Sequence, residues 1–297
     1  MKNKLTANLA LFMTALIWGL SFVAQRAGME YIEPFTFNMV RSFLGGLSLI
    51  PVILWVKASV PDTRTERRKH AQHINLVRAG IACGTVLFLA MSVQQYCMLY
   101  VGAGKAGFIT ALYIVFVPII SILLGDRLKK EIIISVILAV TGLYLLCYKA
   151  NTGFDIWDLL ILLSAFFYAV HIMLVNYYSR MVNPVKASCF QFFVVGLLSV
   201  ILVSLFETPN INAIMACKIP ILYAGILTCG VAYTLQIYGQ KYTLPVLASL
   251  IFALEAVFAV IGGVFILGET LSLKEFAGCI FMISGVILSN LHSDKRK

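Results

Sequence analysis

Residues 249–263 read SLIFALEAVFAVIGG. Fourteen of these fifteen are apolar, small or serine, and the fifteenth, Glu255, stands near the middle. In the core of a soluble domain such a residue would raise a mild question. At the centre of a bilayer a carboxylate costs about 2.5–3.5 kcal/mol on insertion scales and is usually retained for a task. Which of the two environments this run occupies decides the fold.

Working outward, the composition points to the bilayer. The chain has 297 residues, 61% hydrophobic and 12% charged, with a mean hydropathy of +0.93. Soluble domains lie nearer about 45–50% apolar and about 25% charged. The charges cluster in short segments such as PDTRTERRKH (61–70), GDRLKKE (125–131) and SDKRK (293–297). Between them lie stretches long enough to cross roughly 30 Å of hydrocarbon as helix. Ten are expected, near 6–25, 35–56, 75–98, 104–125, 131–149, 156–178, 185–206, 218–240, 245–267 and 274–292. The longest loop, 57–74, is too short to form a domain. The opening MKNKLTANLALFMTALIWGL has too long an apolar run for a signal peptide and reads as a first membrane helix.

The basic residues orient these spans. With ten crossings, one side carries Lys2, Lys4, Lys57, Arg64, Arg67, Arg68, Lys69, Arg127, Lys129, Lys130, Arg180, Lys186, Lys241, Lys295, Arg296 and Lys297, sixteen in all. The other side carries Arg26, Lys105, Lys149, Lys218 and Lys274, which makes five. The excess places both termini in the cytoplasm of a multi-pass cell-membrane protein. The net charge of +10 is thus a consequence of topology. No basic stripe with interleaved aromatics exists outside the spans, so no nucleic-acid partner is expected. The seven cysteines (83, 97, 147, 189, 217, 229 and 279) show no close-pair spacing and read as small apolar packing residues.

The two halves repeat. LFMTALIWGLSFVAQ (11–25) lies over LILLSAFFYAVHIML (160–174) when one reads with an offset of 150, so that Thr14 meets Ser164, Trp18 meets Tyr168 and Ser21 meets His171. The register continues through Pro34 and Pro184, Asn38 and Ser188, Arg41 and Gln191, and Gly46 and Gly196. Further on it slips to 142–143, matching Gln94 with Gln236, Tyr100 with Tyr242, Gly125-Asp126 with Gly268-Glu269, and Gly142 with Gly285. The units are 1–149 and 150–297, five spans each. Five is odd, so the second unit enters the membrane from the opposite side, which is the inverted-repeat plan of secondary transporters. The expected fold is therefore all-α and integral to the membrane, with ten transmembrane helices as two inverted five-helix repeats around a central cavity.

Four stretches carry a family resemblance: ALIWGLSFVAQRAG (15–28), MVRSFLGGLSLI (39–50), GKAGFITALYIVFVPIISILLGD (104–126) and ASLIFALEAVFAVIGGVFILGETLSLKEFAGCIFMISGVILSN (248–290). Together they resemble the EamA branch of the drug/metabolite transporter superfamily. The resemblance implies a basket of ten helices, a central cavity and alternating access, with small metabolites as substrates, often moved outward. The family often has Leu-Glu-Pro where this chain has Leu254-Glu255-Ala256, so the proline that would break a helix there is absent. Pro118 is the candidate for the corresponding kink in the other half. The smaller multidrug relatives use a glutamate in their first helix, and LALFMTALIWGL has none.

Polar residues inside spans should face the bundle interior. Thr14, Trp18, Ser21 and Gln25 form one helical stripe, and Ser164, Tyr168 and His171 form its repeat mate. Asn38 with Arg41, Ser188 with Gln191, Met91, Gln94 and Met98 together, and Tyr233, Gln236 and Gln240 complete the polar face. Thr14, Ser164 and Ser188 have the simpler use of bonding back to their own helix. His171 stands open between a satisfied core histidine and a pathway residue. Arg41 stands open between a structural lock, a snorkelling residue and a substrate contact. Asp126 and Glu269 end their spans and read as end caps. Glu255, ten residues into its span, is suited to binding a substrate ammonium or carrying a coupling proton, and a buried structural pair or a hydrogen bond across helices is its rival. The expected substrate-binding set is Trp18, Ser21, Arg41, Gln94, Tyr168, His171, Tyr233, Gln236 and Glu255.

Signs of an enzyme are absent from the sequence. No HExxH or GxSxG occurs, and VGAGKAG (101–107) fails as a phosphate loop because Leu99 and Ala106 occupy its required positions. A channel usually assembles its pore from several subunits, whereas this chain carries its own inverted partner. The expectation is a carrier without cofactor or metal. Its partners are a small-molecule substrate, membrane lipids and a proton as candidate coupling ion. Aromatics, amides and one acid suit an amino acid or an amine- or ring-bearing metabolite.

Overall fold

The computed structural model describes residues 2–59, 65–147, 155–267 and 272–293. The expectations for Arg64, Lys149, Gly268, Glu269 and residues 295–297 fall outside the described residues. All regular elements among the described residues are helices: α1 (Lys2–Gly28), α2 (Pro34–Ser59), α3 (Glu66–Cys97), α4 (Ala103–Ala111), α5 (Tyr113–Leu123), α6 (Lys130–Cys147), α7 (Ile156–Tyr178), α8 (Pro184–Phe206), α9 (Ile211–Ala216), α10 (Lys218–Leu222), a π-helical segment π1 (Tyr223–Ala232), α11 (Tyr233–Gln240), α12 (Pro245–Phe252), α13 (Glu255–Leu267) and α14 (Leu273–Ser293).

Eight of these runs are long and apolar enough to cross a membrane: α1, α2, α3, α4 with α5, α7, α8, α10 through α11, and α14. The sequence leads to ten. The other two expected positions also hold apolar helices: α6, which opens on the charged Lys130-Glu131, and the pair α12 and α13.

Local chemistry explains several of the ends. Pro34 and Pro184 open α2 and α8 at a position where a missing N–H costs nothing. Asp155 accepts from the N–H groups of Trp157 (3.0 Å) and Asp158 (3.1 Å), while Asp158 accepts from Asp155 N–H (3.0 Å), a reciprocal cap on α7. After α5, Gly125 takes φ 95° and the N–H of Asp126 returns to Ser121 O at 3.0 Å. That closes the helix as the left-handed glycine motif does, so Asp126 is an end residue. α3 starts nine residues before its expected boundary, because the charged segment from Glu66 stays helical beyond the apolar run, with Lys69 bonded to Glu66 at 2.8 Å.

Two interruptions matter for the site. The ninth run breaks at Ala253-Leu254 although position 256 is alanine. There Leu254 N–H reaches only to Ile251 O (3.1 Å) and Ala256 N–H to Ala253 O (3.2 Å), the tighter i→i−3 pattern. Glu255 therefore begins a second half-helix, which corrects its expected place ten residues into a continuous one. The fourth run breaks at Leu112, whose N–H bonds Ile109 O at 3.2 Å, and Tyr113 begins α5. Pro118 lies inside α5, about a turn and a half beyond the break it was expected to cause.

The packing has an exchange pattern. α2 lies on α8, and α6 lies on α14. α1 packs on π1–α11 and on α12–α13, while α7 packs on α3 and on α4–α5. Swapping the halves of the chain maps each contact onto another. The α6–α14 crossing is close: a Cβ on Gly142 would meet Gly278 O at 2.6 Å, and one on Gly278 would meet Gly142 O at 2.7 Å. With lipid as solvent, such small-residue crossings let backbones approach and gain packing contact.

Candidate functional site

Where α1, α2, α3, α4–α5, α7, π1–α11 and α13 converge, they enclose a cavity of about 40 Å³. That is room for about three waters. α1 contributes Trp18, Ser21, Phe22 and Gln25. The Trp18 ring lies between Tyr233 (centroids 4.9 Å apart) and Phe252 (5.1 Å). Gln25 Nε2 donates to Ser21 Oγ, and Thr228 Oγ1 donates to the same oxygen, both at 3.1 Å. α1 can approach α13 because residue 19 is glycine. A Cβ there would stand 2.5 Å from the carbonyl oxygen of Glu255.

A chain of polar contacts ties three other elements together. Tyr168 OH on α7 donates to Gln94 Oε1 on α3 at 2.9 Å, and Gln94 Nε2 donates to Thr110 Oγ1 on α4 at 2.8 Å. The amide is thus satisfied on both sides, as a buried amide must be to avoid a desolvation cost. On the opposite wall Tyr113 OH donates to Glu255 Oε1 at 2.9 Å. Tyr113 and Glu255 are the first residues of α5 and α13, so two half-helix N-termini meet at the cavity. They are also 142 residues apart, the repeat register read from the sequence.

Arg41 is 2% exposed and lines the same cavity. It therefore does not snorkel outward. Its guanidinium carbon lies 5.3 Å from the centre of the Phe37 ring, and its buried Nε has no hydrogen-bond partner. Among the described residues neither Arg41 nor Glu255 forms an ion pair, so the structural-pair reading of Glu255 has no partner here. Its rival at the cavity wall is the Tyr113 hydroxyl.

Of the nine expected residues, seven line the cavity: Trp18, Ser21, Arg41, Gln94, Tyr168, Tyr233 and Glu255. His171 and Gln236 stand outside the lining. His171 Nε2 lies 3.3 Å from Gln191 Oε1, and its ring meets Tyr233 edge-on with centroids 5.8 Å apart. Gln236 is fully buried, and neither polar atom of its amide has a partner. Sequence reasoning missed Thr110, Tyr113, Thr228 and Cys229. For Thr110 and Tyr113 a signal existed: i, i+3 spacing, and for Tyr113 the repeat register with Glu255. Thr228 and Cys229 lie in π1, whose wider winding defeats an α-helical reading.

A wider hollow, about 750 Å³, opens where the loop 29–33 meets the ends of α3 and α8. Its wall includes Glu207, which accepts from the N–H groups of Phe35 (2.8 Å) and Thr36 (2.6 Å) at the start of α2. Lys105, from the stretch that resembles a phosphate loop, is bonded to the buried Asp158 at 2.7 Å.

Comparison with known proteins agrees with this architecture. The EamA-like transporter family matches residues 5–148 and again 155–291. An uncharacterized transporter of Archaeoglobus fulgidus is 31% identical over 97% of this chain and 87% of its own. The uncharacterized inner membrane transporter YedA of Escherichia coli is 24% identical over 95% of this chain and 90% of its own. A crystal structure shares the fold, with a TM-score of 0.77 at 20% identity over 97% of both chains. The chain belongs to the EamA-like transporter family, and it is a multi-pass membrane protein.

Proposed function

We propose that the protein is a secondary carrier of a small metabolite, working by alternating access about the cavity between its halves. Ten helices cross the membrane, as two inverted five-helix units at 1–149 and 150–297, with both termini cytoplasmic. The substrate is an amino acid or a related amine- or ring-bearing compound, and export is the expected direction. Trp18, Ser21, Arg41, Gln94, Tyr168, His171, Tyr233, Gln236 and Glu255 form its pathway, with Glu255 binding a cationic group or carrying a coupling proton.

The observation that carries this reading is the composition of the cavity. Each half supplies part of the wall, and it holds a carboxylate and a guanidinium at membrane depth, where ionisable groups are costly and mark transport pathways. Further support comes from the exchange pattern of helix contacts, from the two separate family matches and from the bias of Lys and Arg to one side. At about 40 Å³ the cavity is too small for a metabolite, so transport requires the halves to part. Gln236 fits this scheme. It is the repeat mate of Gln94, and in an inverted repeat the two halves trade conformations between the two states. The Gln236 amide, without a partner in this state, then finds one when the halves part.

Counter-flow tests the proposal. Purified protein is reconstituted in liposomes loaded with an unlabelled amino acid mixture, and uptake of labelled amino acids is followed. A carrier gives saturable uptake that rises when the same amino acid is inside. Flux that follows the gradient without saturation identifies a channel and contradicts the proposal.

A further inference from the structure

The charge on Arg41 has no answer in the cavity. The side chain is 2% exposed, makes no hydrogen bond or ion pair with any described residue, and leaves its Nε buried without an acceptor. The cavity's one carboxylate, Glu255, is bonded to Tyr113 instead. A second donor is idle in the same wall: the Trp18 indole Nε1 is buried with no acceptor. Buried donors are almost always satisfied, and an unpaired buried cation is among the costliest arrangements a protein can hold. The lining's one other unpartnered atom, Gln25 Oε1, is a neutral acceptor, so two orphaned donors, one of them cationic, still define a place for an anionic acceptor.

We propose that Arg41 and the Trp18 indole N–H form an anion subsite that receives the carboxylate of the transported molecule. The inference rests on the reading of this cavity as the substrate site, and it adds a requirement to that reading: the substrate carries a carboxylate as well as whatever group meets Glu255. A guanidinium presents paired N–H donors that match the two oxygens of a carboxylate, which makes Arg the better fit for this group than Lys. The rings of Tyr233 and Phe252 flank Trp18, so an apolar or aromatic body attached to the carboxylate lies against them.

Two probes that differ only at the head test it: phenylacetate and phenylacetamide. The chain has three tryptophans, Trp18, Trp55 and Trp157. Replacing Trp55 and Trp157 by Phe leaves Trp18 as the sole indole reporter. In chloride-free buffer, phenylacetate should change Trp18 emission saturably, at least tenfold more tightly than phenylacetamide. Arg41→Gln should abolish that preference, and Arg41→Lys should keep part of it. Equal responses to the two probes in the protein with Arg41 intact would overturn the subsite, even if the Arg41 variants fail to fold. A preference that survives in folded Arg41→Gln would overturn it too. Chloride alone giving the full response, with no preference for phenylacetate, would reassign Arg41 to an inorganic anion. Because binding is read without flux, failure here leaves the carrier reading to the counter-flow assay. Conversely, tight phenylacetate binding without counter-flow would sink the carrier reading and leave the subsite standing.

Discussion

Gln94 and Gln236 hold matching places 142 residues apart, and their surroundings differ. Gln94 is bonded on both sides, to Tyr168 and to Thr110, while Gln236 is fully buried with neither amide atom partnered. The scaffold around them is far more alike in its halves. Phe43 packs over Gly196 and its mate Phe193 packs over Gly46, and α2 lies on α8 as α6 lies on α14. Equivalent backbone positions are thus reused for packing, while the polar groups diverge: Tyr113 answers Glu255, Ser21 answers His171, Arg41 answers Gln191. In the proposed carrier, a symmetric frame gives the halves equivalent motions. An asymmetric lining gives the cavity a definite chemistry.

The sharpest way to break this comparison is at its one acid. Glu255→Gln keeps shape and hydrogen bonding and removes the charge. Transport should fall by about a hundredfold or more, equivalent to about 2.8 kcal/mol, or lose its pH dependence. The melting temperature should change little, because no described ion pair is broken. Wild-type transport in a protein with a lowered melting temperature would make Glu255 structural, since an orphaned buried partner costs about 3–5 kcal/mol.

The frame itself comes next. Gly142→Ala and its repeat mate Gly285→Ala each push a methyl against the opposing backbone, at Gly278 O and Ser135 O, and each should destabilise the folded protein by about 1–3 kcal/mol. Near-equal losses in thermal melts support the symmetry of the frame, and a large loss at only one position breaks it. Tyr113→Phe should have a smaller effect. It deletes the hydroxyl on Glu255, a contact worth about 0.5–1.5 kcal/mol net, so flux should fall by no more than about tenfold in liposome assays. The smallest effect on stability belongs to Gln236→Leu. It removes no hydrogen bond from this state, so the melting temperature should hold or rise while transport slows. A drop in melting temperature as large as that of Gln94→Leu would mean that the two amides carry equal weight in one state.

How much of this was legible can be traced residue by residue. Apolar runs of about 20 residues declare themselves, because hydrocarbon demands continuous apolar helix. The polar stripes of α1 and α7 were readable for the same reason, since charge and amide must turn inward. The interruption before Glu255 was not, because its usual cause, a proline, is absent; the i→i−3 bonding at Leu254 and Ala256 lies where α1 approaches closely at Gly19. π1 was hidden likewise. Its first and last residues are tied to α1, by Tyr223 OH to Ile17 O at 2.9 Å and by Thr14 Oγ1 to Ala232 O at 3.1 Å, contacts that no sequence spacing announces. Gln236 reads into the polar face by its spacing with Tyr233 and Gln240, and the structure sets it outside the lining with its amide unpartnered.

The central claim, one cavity opened in turn to both faces by a pair of matching halves, can be tested without knowing the substrate. Cys229 lines the cavity and is fully buried in this state. With cysteines 83, 97, 147, 189, 217 and 279 replaced by alanine, it becomes the single thiol. A small, charged, membrane-impermeant thiosulfonate is then applied to one face of oriented vesicles at a time, and labelling is read by mass. Alternating access predicts that Cys229 is modified from each face. Labelling from one face alone, or from neither, would contradict the account.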